Sequence, residues 1–200
     1  LNTLGVGRND RIAIVLPNCP EMAVAFLAVA AGATAAPLNP AYRADEFDFY
    51  LSDLKAKALI IQAGVFEPAR TVARAHGIPI IELQPMLEAE AGLFSLTPAS
   101  TDDAQKSPKC SGFAQPDDIA LVLHTSGTTS RPKIVPLTQS NLYTSAHNIS
   151  TTLALTKNDS CLNVMPLFHI HGLIGALLSS LSVGANVVCT PGFYAPKFFE

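Results

Sequence analysis

Charge is scarce in this chain. Asp, Glu, Lys and Arg make up 14% of its 200 residues, 13 basic against 16 acidic, for a net charge of −3. The Lys and Arg residues are scattered, so no basic stripe exists to hold a nucleic acid. Cysteine is sparse as well: Cys19, Cys110, Cys161 and Cys189 lie far apart, with no C-x-x-C pair. That spacing argues against a zinc site and fits a reduced, intracellular compartment. Long apolar runs are missing too. Residues 22–42 and 160–196 carry no charge, but Gly32, Pro37 and Pro40 break the first, and Pro166, His169, His171 and several glycines break the second. Neither supplies the roughly 20 unbroken apolar residues of a spanning helix, so no transmembrane segment is expected. No secretory signal is visible, which leaves the cytosol or an organelle such as the peroxisome.

What is present is apolar: 48% of the residues are hydrophobic. That proportion suits an α/β core covered on both sheet faces. Strand-like and helix-like stretches alternate with short loops. "RIAIVLPN" reads as a buried strand, and "PEMAVAFLAVAAGA" as a helix with Pro at its first position. "TAAPLNP" follows as a strand. "RADEFDFYLSDLK" is a helix that places Phe47, Tyr50, Leu51 and Leu54 on one face. The rhythm predicts a doubly wound, mainly parallel sheet with helices on both faces. Residues 1–83 form a first α/β subdomain, 84–118 a polar linker rich in Pro, Ser and Asp, and 119–200 a second α/β stretch. In that last stretch Thr138 is placed to cap a helix over 139–153.

The second stretch carries the most telling segment. Directly after the buried run "IALVL" (Ile119–Leu123) stands "HTSGTTSRPK", His124 to Lys133. Small and hydroxylated residues let backbone N–H groups approach an anion and donate further hydrogen bonds, and Lys133 adds a positive charge. The Walker pattern G-x-x-x-x-G-K-[ST] does not fit, because only Gly127 is present and Ile134 follows Lys133. The dinucleotide fingerprint G-x-G-x-x-G is absent. Composition alone leaves an ordinary polar turn as an equal alternative.

The order of residues goes further. "TSGTTSRPKIVPLTQSNL" (Thr125–Leu142) resembles the signature loop of the adenylate-forming superfamily, which includes acyl-CoA synthetases, coumarate-CoA ligases, firefly-type luciferases and peptide-synthetase adenylation domains. Thr125, Ser126, Gly127, Thr128, Thr129, Pro132, Lys133 and Val135 match its pattern, as do Thr138 and Asn141. Ser130 and Ile134 stand where that family has glycine. Ser130 keeps a small hydrogen-bonding side chain, whereas Ile134 restricts the backbone, so altered ATP kinetics are expected before lost binding. "VMPLFHIHGLIGALL" resembles the family's P-x-F-H-x-x-G motif, with His169 as its histidine. The opening third, with "GATAAPLNP", is similar to the first subdomain of these ligases. Within the superfamily the chain most resembles the oxalate-CoA ligase branch, peroxisomal coumarate-CoA-ligase-like proteins.

The resemblance implies an AMP-forming acid–thiol ligase using ATP, Mg²⁺ and coenzyme A on a small carboxylic acid. It implies that Thr125, Ser126, Gly127, Thr128, Thr129, Ser130 and Lys133 bind ATP, with Lys133 offsetting the charge of departing pyrophosphate. Thr125 would also touch the metal. His169, and with less support His171, would border the acid. His124, ahead of the loop, reads as structural. The chain begins at Leu1 and reads as the N-terminal piece of something longer. The adenine- and ribose-binding residues and a catalytic lysine are expected beyond Glu200, so these 200 residues alone are expected not to form thioester. Coumarate, fatty acids or a catalytically incomplete binding module are the alternatives.

Overall fold

The computed structural model describes residues 2, 5–99, 108, 110–125 and 132–197. Its centre is a sheet of seven strands in the order β5-β4-β3-β1-β2-β6-β7. In chain order these are β1 (Arg11–Val15), β2 (Thr34–Pro37), β3 (Ala58–Gln62), β4 (Ile80–Pro85), β5 (Phe94–Pro98), β6 (Ile119–Thr125) and β7 (Lys133–Thr138). The five central strands run parallel, and the outer pairs β4–β5 and β6–β7 are antiparallel. A separate parallel pair joins β8 (Ser160–Asn163) to β9 (Asn186–Cys189).

Parallel strands are buried on both faces, and successive side chains alternate between them. Accordingly Ile12 and Ile14 of β1 enter one core, with Met22 and Phe26 of α1 (Pro20–Ala30). Ala13 and Val15 enter the other, with Phe47, Leu51 and Leu54 of α2 (Ala44–Leu54) and Ala69 of α3 (Glu67–Ala75). The apolar stripe of α2 thus faces the sheet. Tyr50 is half-buried at its edge and takes a different role, described below. On the first face, α4 (Gln139–Thr152) and a π-helical segment (His171–Leu178) continued by α5 (Ser179–Leu181) complete the cover. Thr138 caps α4: its Oγ1 accepts from the Asn141 N–H at 3.1 Å, and the Asn141 Oδ1 accepts from the Thr138 N–H at 3.0 Å. No helix of the described residues is long and apolar enough to cross a membrane.

The stretch 84–118 is not free of regular structure. It contains β5, which pairs antiparallel with β4 at the sheet's edge, most of its residues exposed. A strand with one face in water can be polar, which is why "FSLTP" gives no core signal in the sequence. Strands from 1–83 and 119–200 also share the one sheet, because Ala35 of β2 registers with Leu121 of β6, and Thr34 Oγ1 donates to the Ile119 carbonyl at 2.6 Å.

The entry to β6 is tied to the N-terminus. Asp118 accepts from Arg8 Nε at 2.6 Å, from Arg8 Nη2 and Asn9 Nδ2 at 3.1 Å each, and from the Gln115 N–H at 2.6 Å. These donors, Arg8 foremost, hold the Asp118 carboxyl at about 2, below its ordinary 3.8. A lowered pKa in the folded state gives stability that is complete above the unfolded value and is lost as pH falls from about 4 towards 2. Asp118→Asn therefore flattens the fall in urea midpoint between pH 5 and pH 2. An unchanged pH profile in the variant would show that this clamp contributes nothing.

Candidate active site

β6 ends and β7 begins at facing positions. His124 pairs with Ile134 and Thr125 with Lys133 across the antiparallel ladder, so the intervening loop is carried on a hairpin neck. Ser126, Gly127, Thr128, Thr129 and Ser130 lie outside the described residues. Thr125 and Lys133 are both exposed at the neck, one presenting a hydroxyl and the other an ammonium. Ile134 is partly buried against the second core, where a β-branched residue suits a strand better than glycine.

A cavity of about 450 Å³ opens beside this neck. Leu123, His124 and Thr125 of β6 line it together with Val135 and Leu137 of β7. Phe168, His169 and Ile170 close it from the segment that follows β8. The third side is Tyr42 and Tyr50, stacked with ring centroids 4.7 Å apart and planes 12° from parallel. Neither tyrosine stands out in the sequence as a site residue, since Tyr50 looks like part of the apolar stripe of α2. Burial, then the hydrogen bond with Tyr50, pushes the Tyr42 phenol above its ordinary pKa.

His124 is built into the same wall. Its side chain is only 7% exposed, and Nε2 lies 3.0 Å from Asp53 Oδ2. The Tyr50 ring meets it edge to face at 4.7 Å. Burial lowers its pKa, and the Asp53 carboxylate opposes that shift only in part. Burial thus favours the neutral imidazole, and the Asp53 carboxylate holds the ring in the cavity wall. The sequence reads His124 as structural; here its ring is part of the cavity lining. Finding that contact needs Asp53, 71 positions away in the chain.

The segment bearing His169 is anchored on both sides. Leu167 is 1% exposed in the first core. The buried Asn163 accepts from the Met165 N–H at 3.1 Å and donates to the Gly172 carbonyl at 3.4 Å. The His169 N–H donates to the Pro166 carbonyl at 3.1 Å. His169 itself is exposed at the cavity rim, and its Nδ1 accepts from the His171 N–H at 3.3 Å. The His171 ring lies elsewhere, over the π-helical segment: a Cβ added to Gly175 would come within 3.3 Å of it. The cavity therefore gathers Thr125, His124 and His169 but not His171. A wide π-turn beginning at His171 is a form that recurs at functional sites.

Among the described residues, no Lys, Arg, Asp or Glu lines this cavity, and no three His, Cys, Asp or Glu side chains cluster to hold a metal. What the arrangement offers is a hairpin neck with an exposed hydroxyl and an exposed ammonium at one end and an apolar, aromatic chamber with two imidazoles at the other.

Comparison with known proteins gives the family. The model of the AMP-binding enzyme family matches residues 1–200. An oxalate–CoA ligase of Arabidopsis thaliana is 47% identical over 184 residues, 92% of this chain and 35% of that protein. One from Saccharomyces cerevisiae is 41% identical over 213 residues, 97% of this chain and 39% of its own length. The crystal structure of ATP-bound MatB from Rhodopseudomonas palustris superposes with a TM-score of 0.77 at 27% identity, covering 97% of this chain and 37% of that one. The chain thus spans little more than a third of the length of these proteins. With a family model matched from end to end and the doubly wound sheet of adenylate-forming enzymes, the chain belongs to the AMP-binding enzyme family.

Proposed function

We propose that the protein bearing this chain is an ATP-dependent acid–CoA ligase acting on oxalate or a similar small carboxylic acid. The observation that carries the proposal is the hairpin neck, with Thr125 facing Lys133, opening onto the chamber that also receives His169. In the first half-reaction a carboxylate oxygen attacks the α-phosphorus of ATP. The bond to the β-phosphate breaks, and pyrophosphate leaves. In the second, the thiol of coenzyme A adds to the acyl carbon, loses its proton, and expels AMP. Adenylation is required because oxide is a hopeless leaving group from a carboxylate and AMP is a good one.

Charge builds on phosphate oxygens in the first step, so pre-positioned donors and a cation lower the barrier most. Thr125, Ser126, Gly127, Thr128, Thr129 and Ser130 wrap the polyphosphate, and Lys133 offsets the charge of the departing pyrophosphate. One hydroxyl is not a metal site by itself, but Mg²⁺ is commonly held by substrate phosphates with one or two protein oxygens. Thr125 Oγ1 fits as such an oxygen, and the ion would supply further neutralisation of the phosphates. His169 borders the acid, with His171 acting through its backbone N–H on the His169 ring.

Oxalate is supported by the names of the relatives from Arabidopsis thaliana and Saccharomyces cerevisiae. A second reading is favoured by the chamber itself. Leu123, Val135, Leu137, Phe168 and Ile170 make an apolar wall, which suits an aromatic or aliphatic acid better than a dianion that must be paired when desolvated. ATP–pyrophosphate exchange and thioester formation by the whole protein, run with oxalate, coumarate and fatty acids, separate the two. Preference for oxalate by about 10²-fold or more in kcat/KM, some 2.7 kcal/mol, is expected. Turnover of coumarate or a fatty acid alone would replace oxalate with the second reading, and no exchange with any acid would end both.

A further inference from the structure

Asn18 follows β1 and is half-buried. In the sequence it ends the turn "LPN" and carries no chemical signal. In the fold its amide spans two remote segments. Nδ2 donates to the Thr190 carbonyl at 2.6 Å and lies 3.5 Å from the Met165 carbonyl, while Oδ1 accepts from the Leu167 N–H at 2.8 Å. These partners stand 147 to 172 residues away in the chain. Leu167 is two positions ahead of His169, and Thr190 immediately follows β9.

Among the described residues, the other hydrogen bonds of this segment are internal to it. Asn163 grips Met165 and Gly172 from the end of β8, and His169 bonds back to Pro166. Internal bonds set the shape of a loop but not its place against the central sheet. Leu167 inserts into the first core, yet an apolar contact is non-directional and tolerates sliding. Asn18 adds a directional link: its acceptor meets an N–H and its donors face carbonyls, an arrangement only an amide satisfies at both ends.

We propose that Asn18 is a positioning residue for the acid-side segment, fixing Met165–Leu167 to the end of β1 so that His169 stands at the rim of the cavity. The function of that rim rests on the ligase reading above; the mechanical claim does not. Asn18 is not part of the cavity lining and acts through His169. A displacement of about 1 Å at a group that orients substrate can cost 10²-fold in rate, so a side chain distant in sequence from every motif gains a place in catalysis.

The test compares Asn18→Ala with Asn18→Asp in the whole protein. Asp matches Asn in shape and keeps an acceptor for Leu167, but it turns an oxygen towards the Thr190 and Met165 carbonyls. If Asn18 merely fills space, Asp behaves like the unaltered protein and Ala alone does damage. If it positions the segment, both variants raise KM for the acid roughly tenfold, about the worth of one or two lost hydrogen bonds. KM for ATP then stays within about twofold, because no bond to the hairpin has been removed. Amide exchange at Leu167 and His169 accelerates in both variants, while β1 and β3 keep their protection. Wild-type exchange and wild-type KM in Asn18→Asp would overturn the proposal, as would an equal rise in both KM values with general loss of protection. Should the unaltered protein form no adenylate at all, the ligase reading fails, and the exchange measurement still decides the role of Asn18.

Discussion

Replacing Lys133 and Thr128 together by alanine lowers kcat/KM for ATP in the whole protein by about 10²–10³-fold, the usual loss when a pre-positioned donor to developing charge is removed. Lys133 starts its side chain at the hairpin neck, opposite Thr125. Thr128 belongs to the hydroxylated loop between them. The exchange of pyrophosphate into ATP reads the first half-reaction alone and is the measurement of choice. Thermal stability should hardly move, since Lys133 is exposed and its removal opens no core cavity. The double variant separates a phosphate-binding loop from a polar turn that happens to be rich in Ser and Thr. A normal rate and a normal ATP affinity would leave only the turn.

The second large effect comes from a single methyl group. Gly172, the second residue of the π-helical cover, lies so close to the preceding segment that a Cβ there would clash with the Pro166 carbonyl oxygen and come within 3.0 Å of that of Met165. Both contacts are backbone, and neither can swing aside. The Pro166 carbonyl is the acceptor of the His169 N–H, and the Gly172 carbonyl takes the Asn163 amide. Gly172→Ala must therefore push the π-helix off the segment or break the bonds that shape it. A loss of about 3 kcal/mol is expected, near the upper end for overpacking. For a chain of this length that lowers Tm by roughly 6–12 °C. Thermal unfolding measures it directly, and Gly192→Ala, where a Cβ meets nothing within 4 Å, serves as the control. Equal midpoints in the two variants would mean that the close approach at Gly172 relaxes freely.

These two experiments probe the hairpin and the His169 segment, and the two differ in how visible they are in the sequence. The hairpin wall is local. Its strands, its loop and Lys133 occupy consecutive positions, and the apolar run Ile119–Leu123 announces the strand that carries them. The His169 segment is nearly as legible, because the motif histidine and the apolar helix after it are contiguous. By contrast Tyr42 and Tyr50 line the third side beside His124, whose ring is hydrogen-bonded to Asp53 of α2. Tyr50 carries the same apolar periodicity as Leu51 and Leu54, and nothing in a helical repeat tells a core-facing ring from one at a cavity's edge. The strand β5 escaped for a related reason, since an exposed edge strand has no apolar face to reveal it.

From the residue order alone came the alternation of strands and helices, the mainly parallel sheet, and the expectation of a phosphate-type loop ending at Lys133. Each of these depends on neighbours in the chain: side-chain periodicity, cap residues, and small residues in succession. The tertiary structure decided which residues meet. It set Lys133 against Thr125, turned His171 away from the chamber while leaving His169 at its rim, and brought Asn18 to a segment some 150 residues distant. Such contacts are settled by how two covered faces of one sheet pack, and packing joins residues that no pattern along the chain connects.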